Sequence, residues 1–211
     1  MAIISNATTI ADAGAFSVNL GAMVHIKTLT ASSSSTLSFV HGASSVVLDG
    51  TYPIYKFEFI NIHPATNNAD LGLLASINTG SAYGVATTSN FFEAGHSEDD
   101  QLTKLDYIAA FDAPQSTGLI KMTGSVDIDN DACTSGQLYL FNPSSTTYHK
   151  HFISIFNRMY DYESGTPPQH SINSYVGGYV NTTSAVDAIQ FKMDSGNIDS
   201  GKIKLYGIKD S

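Results

Sequence analysis

Alternation of apolar and polar side chains, repeated in short segments along the chain, is the feature that most constrains the fold. It is clearest where Tyr55, Phe57 and Phe59 fall on one side of an extended segment and Lys56 and Glu58 fall on the other. A period of two residues is typical of a strand with one buried face. We therefore expect Phe57 and Phe59 to lie in the core.

Similar short segments recur along most of the chain, separated by clusters of Pro, Gly, Asn and Ser. Many short strands without intervening helical segments predict an all-β fold, an antiparallel β-sandwich of jelly-roll type. The predicted strands are residues 36–40, 45–48, 55–62, 71–77, 119–126, 137–141, 148–159, 172–180, 188–193 and 202–208.

Two hairpins and at most one short helix are expected. Strand 55–62 pairs in this prediction with strand 71–77, across a turn that contains Pro64. Strand 188–193 is expected to pair with strand 202–208, because Gly196 and Asn197 between them suit a tight turn. Leu102, Leu105 and Ile108 recur at helical spacing behind the acidic residues 98–100, which predicts a short helix or a loop there.

The first 35 residues are weakly patterned, and they include the run Ser32 to Ser35. One interpretation is a poorly packed terminus, and the other is an arm that becomes ordered against a neighbouring subunit. We divide the chain into an N-terminal arm, residues 1–35, and a single sandwich domain, residues 36–211. A sandwich of this size is commonly one domain.

The charge balance disfavours several classes of partner. Charged residues make up 14% of the chain and the formal net charge is −9, with 10 basic residues in all. DNA binding depends on Lys and Arg neutralising phosphates, and binding to anionic membranes depends on basic clusters. We expect no direct contact with nucleic acid or membrane. The sequence shows neither a signal-peptide pattern nor an apolar run of about 20 residues, which predicts synthesis in a cytoplasm without membrane insertion.

One acidic run resembles the opening of a calcium loop. Asp127, Asp129 and Asp131 stand at every second position, but Ala132 and Leu138 occupy the sixth and twelfth positions, where a helical calcium loop has Gly and Glu. We interpret the run as a solvated acidic turn and predict no metal or cofactor. These three aspartates are nevertheless the first candidates if a metal binds.

Four residues are candidates for an interface. His149 and His151 point to one face of a predicted strand, but no carboxylate follows to complete a metal site. Tyr160 and Tyr162 border a predicted loop, and tyrosine is enriched at binding surfaces. The sequence contains neither a nucleophile elbow nor a phosphate-binding loop, so we predict that the protein is not an enzyme.

The C-terminal third carries a resemblance to a known class of protein. Residues 181–191, 195–201 (Ser-Gly-Asn-Ile-Asp-Ser-Gly) and 203–208 (Ile-Lys-Leu-Tyr-Gly-Ile) are similar to the segment that closes a jelly roll in many virion proteins of tailed phages, notably phages of marine bacteria. The resemblance extends over roughly residues 50–208.

The resemblance implies a structural component of a virion that is assembled in the host cytoplasm. It would be a capsid decoration (cement) protein or a tail-associated protein. Its partners would be copies of itself, with a trimer favoured, and a major capsid or tail protein. One alternative is a receptor- or glycan-binding module of a tail fibre, carried by Tyr160, Tyr162 and the turn 127–131. Another is a hydrolase built on a sandwich, whose pocket would assemble only in space.

Overall fold

The computed structural model describes residues 22–160 and 169–210 with their side chains, and the backbone of residues 3–5, 8–12, 15–16 and 161. These residues form sixteen strands and one short 3-10 helix, Ala109–Phe111. The strands are β1 (Ile3–Ser5), β2 (Thr8–Asp12), β3 (Ala15–Phe16), β4 (Met23–Thr30), β5 (Leu37–Val40), β6 (Ile54–Pro64), β7 (Leu71–Ser76), β8 (Thr87–Ser97), β9 (Thr103–Tyr107), β10 (Ala113–Ser116), β11 (Ile120–Lys121), β12 (Thr134–Phe141), β13 (Lys150–Asp161), β14 (Gln169–Val180), β15 (Ala188–Met193) and β16 (Ile198–Ile208).

Two antiparallel sheets pack face to face, which confirms the predicted all-β sandwich. The large sheet has nine strands in the order β10-β8-β14-β13-β12-β6-β16-β4, with β9 also paired to β8. The small sheet has four strands in the order β11-β7-β15-β5. Early strands pair with late ones in nested order, β4 with β16, β7 with β15 and β8 with β14.

A group of phenylalanines joins the two sheets. Phe191 of the small sheet lies with its ring centroid 5.2 Å from that of Phe57 and 4.9 Å from that of Phe59, both on β6 of the large sheet. Phe39 of β5 contacts Phe57 at 5.3 Å, and Phe156 of β13 contacts Phe59 at 4.8 Å. Edge-to-face and tilted rings of this kind stabilise a core beyond the area that they bury. Phe57 and Phe59 are buried, as predicted.

Both predicted hairpins are wrong, because in each the chain crosses from one sheet to the other. β6 belongs to the large sheet and β7 to the small one, and the same crossing separates β15 from β16. Gly196 has φ +67°, as a tight turn requires, but this turn changes sheets. Alternation identifies the buried face of a strand, and both sheets bury a face against the same core. The pattern therefore cannot tell which strands are hydrogen-bonded.

The sandwich also begins earlier than residue 36. β4 lies inside the predicted arm, yet it pairs with β16 along residues 23–30. It is an edge strand and only partly buried, so its composition is less apolar than that of a central strand. The first three strands pair with one another in the order β1-β2-β3.

The predicted helix near residue 105 is instead a strand. β9 pairs with β8, and Leu105 points to solvent with 74% of its surface exposed. The acidic residues before it form a turn: the Ser97 hydroxyl accepts hydrogen bonds from the backbone N–H groups of Gln101 (3.1 Å) and Leu102 (2.8 Å). A turn closed in this way takes the place of a helix N-terminus.

Phe59→Ala should lower the free energy of unfolding by about 3–5 kcal/mol, because the lost ring leaves a cavity between Phe156 and Phe191. The matched control is Ile60→Ala, since Ile60 is the next residue and is exposed; it should cost less than about 1 kcal/mol. Urea denaturation of both variants measures the difference. Equal midpoints for the two variants would mean that the inward face of β6 is assigned wrongly.

Candidate functional site

The outward face of the large sheet carries an exposed patch of apolar and aromatic side chains. Its position follows from alternation, since Phe91 is buried in the core while its neighbour Phe92 is exposed. Tyr107 and Ile153 are the most exposed members, at 61% and 52%. We call this patch the aromatic surface, and define it as Phe92 of β8, Tyr107 of β9, Ile153 and Ile155 of β13, and Tyr175 and Tyr179 of β14.

Strand register brings these side chains side by side. Tyr107, Phe92, Tyr175 and Ile155 are directly paired in succession across four neighbouring strands. The rings of Phe92 and Tyr175 stack with a centroid distance of 4.9 Å and an angle of 8°. Aromatic cross-strand pairs of this kind stabilise a sheet and hold both rings in place. The side chains of the aromatic surface are therefore held in fixed positions.

This part of the sheet carries no formal charge on its outward side. The outward residues at 88–96, 103–107, 151–159 and 171–179 include no Asp, Glu, Lys or Arg. The neighbouring half of the same face, on β6, β12 and β16, is charged. There Lys56 donates a hydrogen bond to Glu58 at 2.7 Å, and this bond lowers the pKa of Glu58. The contrast marks the aromatic surface as distinct from the rest of the face.

A notch opens at Gly177, in the middle of the aromatic surface. Gly177 is paired with Asn90 on one side and with Ile153 on the other, and Tyr175 and Tyr179 flank it along β14. A Cβ atom at Gly177 would meet only the Asn90 side-chain oxygen, at an ordinary contact distance of 3.7 Å. The notch has a volume of about 560 Å³.

The adjacent residue, Gly178, is glycine for a different reason. A Cβ at Gly178, on the inward side, would lie 2.4 Å from the Thr88 carbonyl oxygen and 2.9 Å from the Phe152 ring. Packing therefore requires Gly178, but neither packing nor backbone conformation requires Gly177. Glycine within a strand weakens it and often marks a place where a ligand or another backbone comes close. The gap at Gly177 is thus a candidate binding feature.

A buried ion-pair network lies on the inward side of the same strands. Arg158 donates hydrogen bonds to Glu93 at 2.6 Å and to the Ser125 carbonyl at 2.8 Å, and Lys104 reaches Glu93 at 3.2 Å. Burial raises the pKa of Glu93, but Arg158 and Lys104 outweigh it and hold that pKa below its usual value. The carboxylate is ionised and fully paired, so we interpret the network as structural.

The two predicted histidines lie at the edge of the notch. The His149 ring stacks on Tyr179 with a centroid distance of 5.5 Å, and the His151 ring lies 5.9 Å from Tyr179. Lys150 between them points inward and is buried, and its ammonium group donates to the carbonyls of Tyr148 (2.9 Å) and Thr182 (3.1 Å). The histidines remain candidates for an interface.

The aspartates of the acidic run do not converge. Asp127 is buried and accepts a hydrogen bond from the backbone of Ile128, while the Asp129 carbonyl accepts one from Ala132 and closes a turn. Within the described residues, no group of three or more His, Cys, Asp or Glu side chains is placed to hold a metal.

Of the two predicted tyrosines, only Tyr160 is described, and it does not line the notch. The Arg158 guanidinium lies 5.6 Å from the centroid of the Tyr160 ring, near the end of β13. Tyr162 lies outside the described residues. Tyr175 and Tyr179 face outward on β14, and Tyr179 lines the notch.

Comparisons with known proteins give no relative. The chain matches no protein-family model, and searches of curated proteins and of solved structures gave no significant match. In the described part of the chain, no helix has the length and hydropathy needed to cross a membrane. The function must therefore be argued from the surface itself.

Sequence reasoning missed the aromatic surface because it missed β8. The segment Thr87–Ser97 does alternate, with Thr87, Ser89, Phe91 and Glu93 buried, but three of these four side chains are polar. An apolar pattern is then hard to recognise. The adjacent pair Phe91 and Phe92 was the available signal, since only one of two successive side chains in a strand can face the core.

Gly177→Ala and Gly178→Ala test whether packing requires glycine at each of these two positions. Alanine at 177 should change the free energy of unfolding by less than about 1 kcal/mol, since the cost of a strand glycine is removed and no contact is violated. Alanine at 178 should lower it by about 1–3 kcal/mol through overpacking. Urea denaturation measures both. Similar losses for the two variants would contradict the assignment of the notch as open space.

Proposed function

We propose that the chain is a non-enzymatic structural component of a tailed-phage particle, either a capsid decoration (cement) protein or a tail-associated protein. It acts through contacts with copies of itself, as a trimer, and with a major capsid or tail protein. The resemblance of residues 181–208 to phage virion proteins supports the assignment to a phage particle. The arrangement of the described strands supports attachment through the N-terminal segment.

The observation that carries this proposal is that, among the described strands, both sheets of the sandwich contain only β4 and later strands. β4 forms the edge of the large sheet, and just before it the Ala22 carbonyl accepts a hydrogen bond from the Lys209 N–H at 2.8 Å. The strands β1, β2 and β3 form a sheet of their own. A segment that is not needed to complete the domain is available to bind a neighbour.

Short strands suit this role for a physical reason. The edges of β1 and β3 carry backbone N–H and C=O groups beyond those used within their own sheet. Such an edge can extend the sheet of another subunit, and main-chain hydrogen bonds then supply the affinity. Docking of identical chains by rotation gives a closed ring, which is the usual arrangement of homo-oligomers.

A second candidate function, receptor or glycan binding, is favoured by the aromatic surface. Side chains such as Tyr107 and Ile153 remain largely exposed on this part of the sheet, although the Tyr107 hydroxyl donates a hydrogen bond to Asp112 at 2.6 Å. Exposed apolar patches of this kind commonly mark interaction sites. The two functions are compatible, since the N-terminal strands would attach the protein while the large sheet stays accessible.

Deleting residues 1–20 tests the proposal. The shortened chain should fold with a melting temperature within a few degrees of that of the intact chain, since β4 and all later strands are kept. It should no longer co-sediment with purified particles, whereas the intact chain should. The control is Ile60→Ala in the intact chain, which alters an exposed residue outside this segment and should not affect incorporation. A shortened chain that is incorporated normally, or one that fails to fold, would overturn the attachment role.

A further inference from the structure

We propose that the notch at Gly177 binds a neutral sugar ring, a pyranose of a glycan that carries no charged group. This inference rests on the second candidate function, receptor or glycan binding, and assigns it a site and a ligand class. The site is formed by Gly177 as the floor, with Tyr179 and Ile153 as walls and Asn90 and His151 at the rim.

The floor of the notch is open. A Cβ at Gly177 would fit without a clash, so the missing side chain is not explained by packing. Glycine at this position leaves backbone at the bottom of a gap between Asn90 and Ile153. A ligand can therefore reach the sheet backbone at this point, as in other strands where a central glycine marks a close approach.

The tyrosine in the wall suits a sugar. Tyr179 is held in place by its stack on His149, and Tyr175, the preceding outward residue of β14, is held by its stack on Phe92. The hydroxyl groups of Tyr175 and Tyr179 make no hydrogen bond within the described residues. A tyrosine that offers both a ring face and an open hydroxyl suits a ligand with apolar C–H faces and a rim of hydroxyl groups. A pyranose has both features.

The rim of the notch is polar. The Asn90 side chain is exposed, and it makes no hydrogen bond in the described part of the chain. Its amide both donates and accepts, so it can pair with vicinal sugar hydroxyls. His151, also exposed, lies across the notch on β13. Both side chains can form hydrogen bonds with sugar hydroxyls.

Electrostatics favours a neutral ligand over an anion. The notch has no Lys or Arg in its lining, and the chain carries a net charge of −9. Phosphate, sulfate and sialic acid groups would find no cation to pair with and would be repelled by the overall field. An extended peptide is a different occupant of the same gap, and the test includes it.

The test uses the intact chain and measures saturation-transfer NMR with methyl glycosides of glucose, galactose, mannose and N-acetylglucosamine. Each is used at about 10 mM, enough to occupy a site with a Kd near 1 mM. At least one should receive transfer, while sialic acid and glucose 6-phosphate should not. Gly177→Val should weaken binding at least tenfold because its side chain fills the notch, and Asn90→Ala should weaken it several-fold.

The matched control is Tyr139→Ala, which removes an aromatic ring from the charged half of the same face and should change binding less than twofold. The inference is overturned by any of three results: no neutral glycoside binds, Gly177→Val binds like the wild type, or the charged sugars or a Val-Thr-rich peptide bind better. Particle incorporation of the wild type and of Gly177→Val is measured in parallel. A wild type that is incorporated normally but binds no sugar would reject this inference alone. A wild type that is not incorporated would reject the attachment role.

Discussion

The packing of Phe191 against Phe57 and Phe59 is the contact on which the rest of the structure depends. This contact fixes which face of β6 points into the core. The register of the paired strands then fixes which face of each other strand in the large sheet points inward. Once Phe59, Phe156 and Ser174 face the core, Tyr175 must face outward, because successive side chains alternate. The aromatic surface is thus a consequence of how the core is packed.

The inward side of the sheet also explains why the outward side is firm. Arg158 joins β13 to the Ser125 loop and to Glu93 on β8, so the strands beneath the aromatic surface are tied together by buried hydrogen bonds. Removing Glu93 would leave the buried Arg158 charge without a carboxylate partner, which is strongly destabilising. The rings above these strands are therefore presented by backbone that has little freedom to rearrange.

The sequence predicted which side chains of a strand are buried, but not to which sheet the strand belongs. The inward residues Phe57 and Phe59 were predictable, because alternation reports burial directly. The sheet to which a strand belongs was not, as β6 and β7 show, since both sheets share one core. The edge strand β4 and the polar strand β8 were missed because their buried positions are only partly apolar. The notch could not be predicted, because the sequence does not tell which of the adjacent Gly177 and Gly178 is required by packing. Only the positions of Thr88 and Phe152 in the structure distinguish the two glycines.

The central claim is that this protein attaches by its N-terminal segment and presents the large sheet for contact. Cryo-electron microscopy of purified particles tests it most directly. The account predicts sandwich density on the capsid or tail, with residues 1–20 ordered against a neighbouring subunit and with Tyr107 and Ile153 facing solvent. Particles that lack the protein, or a map in which the aromatic surface is buried against the next subunit while the first 20 residues make no contact, would contradict it.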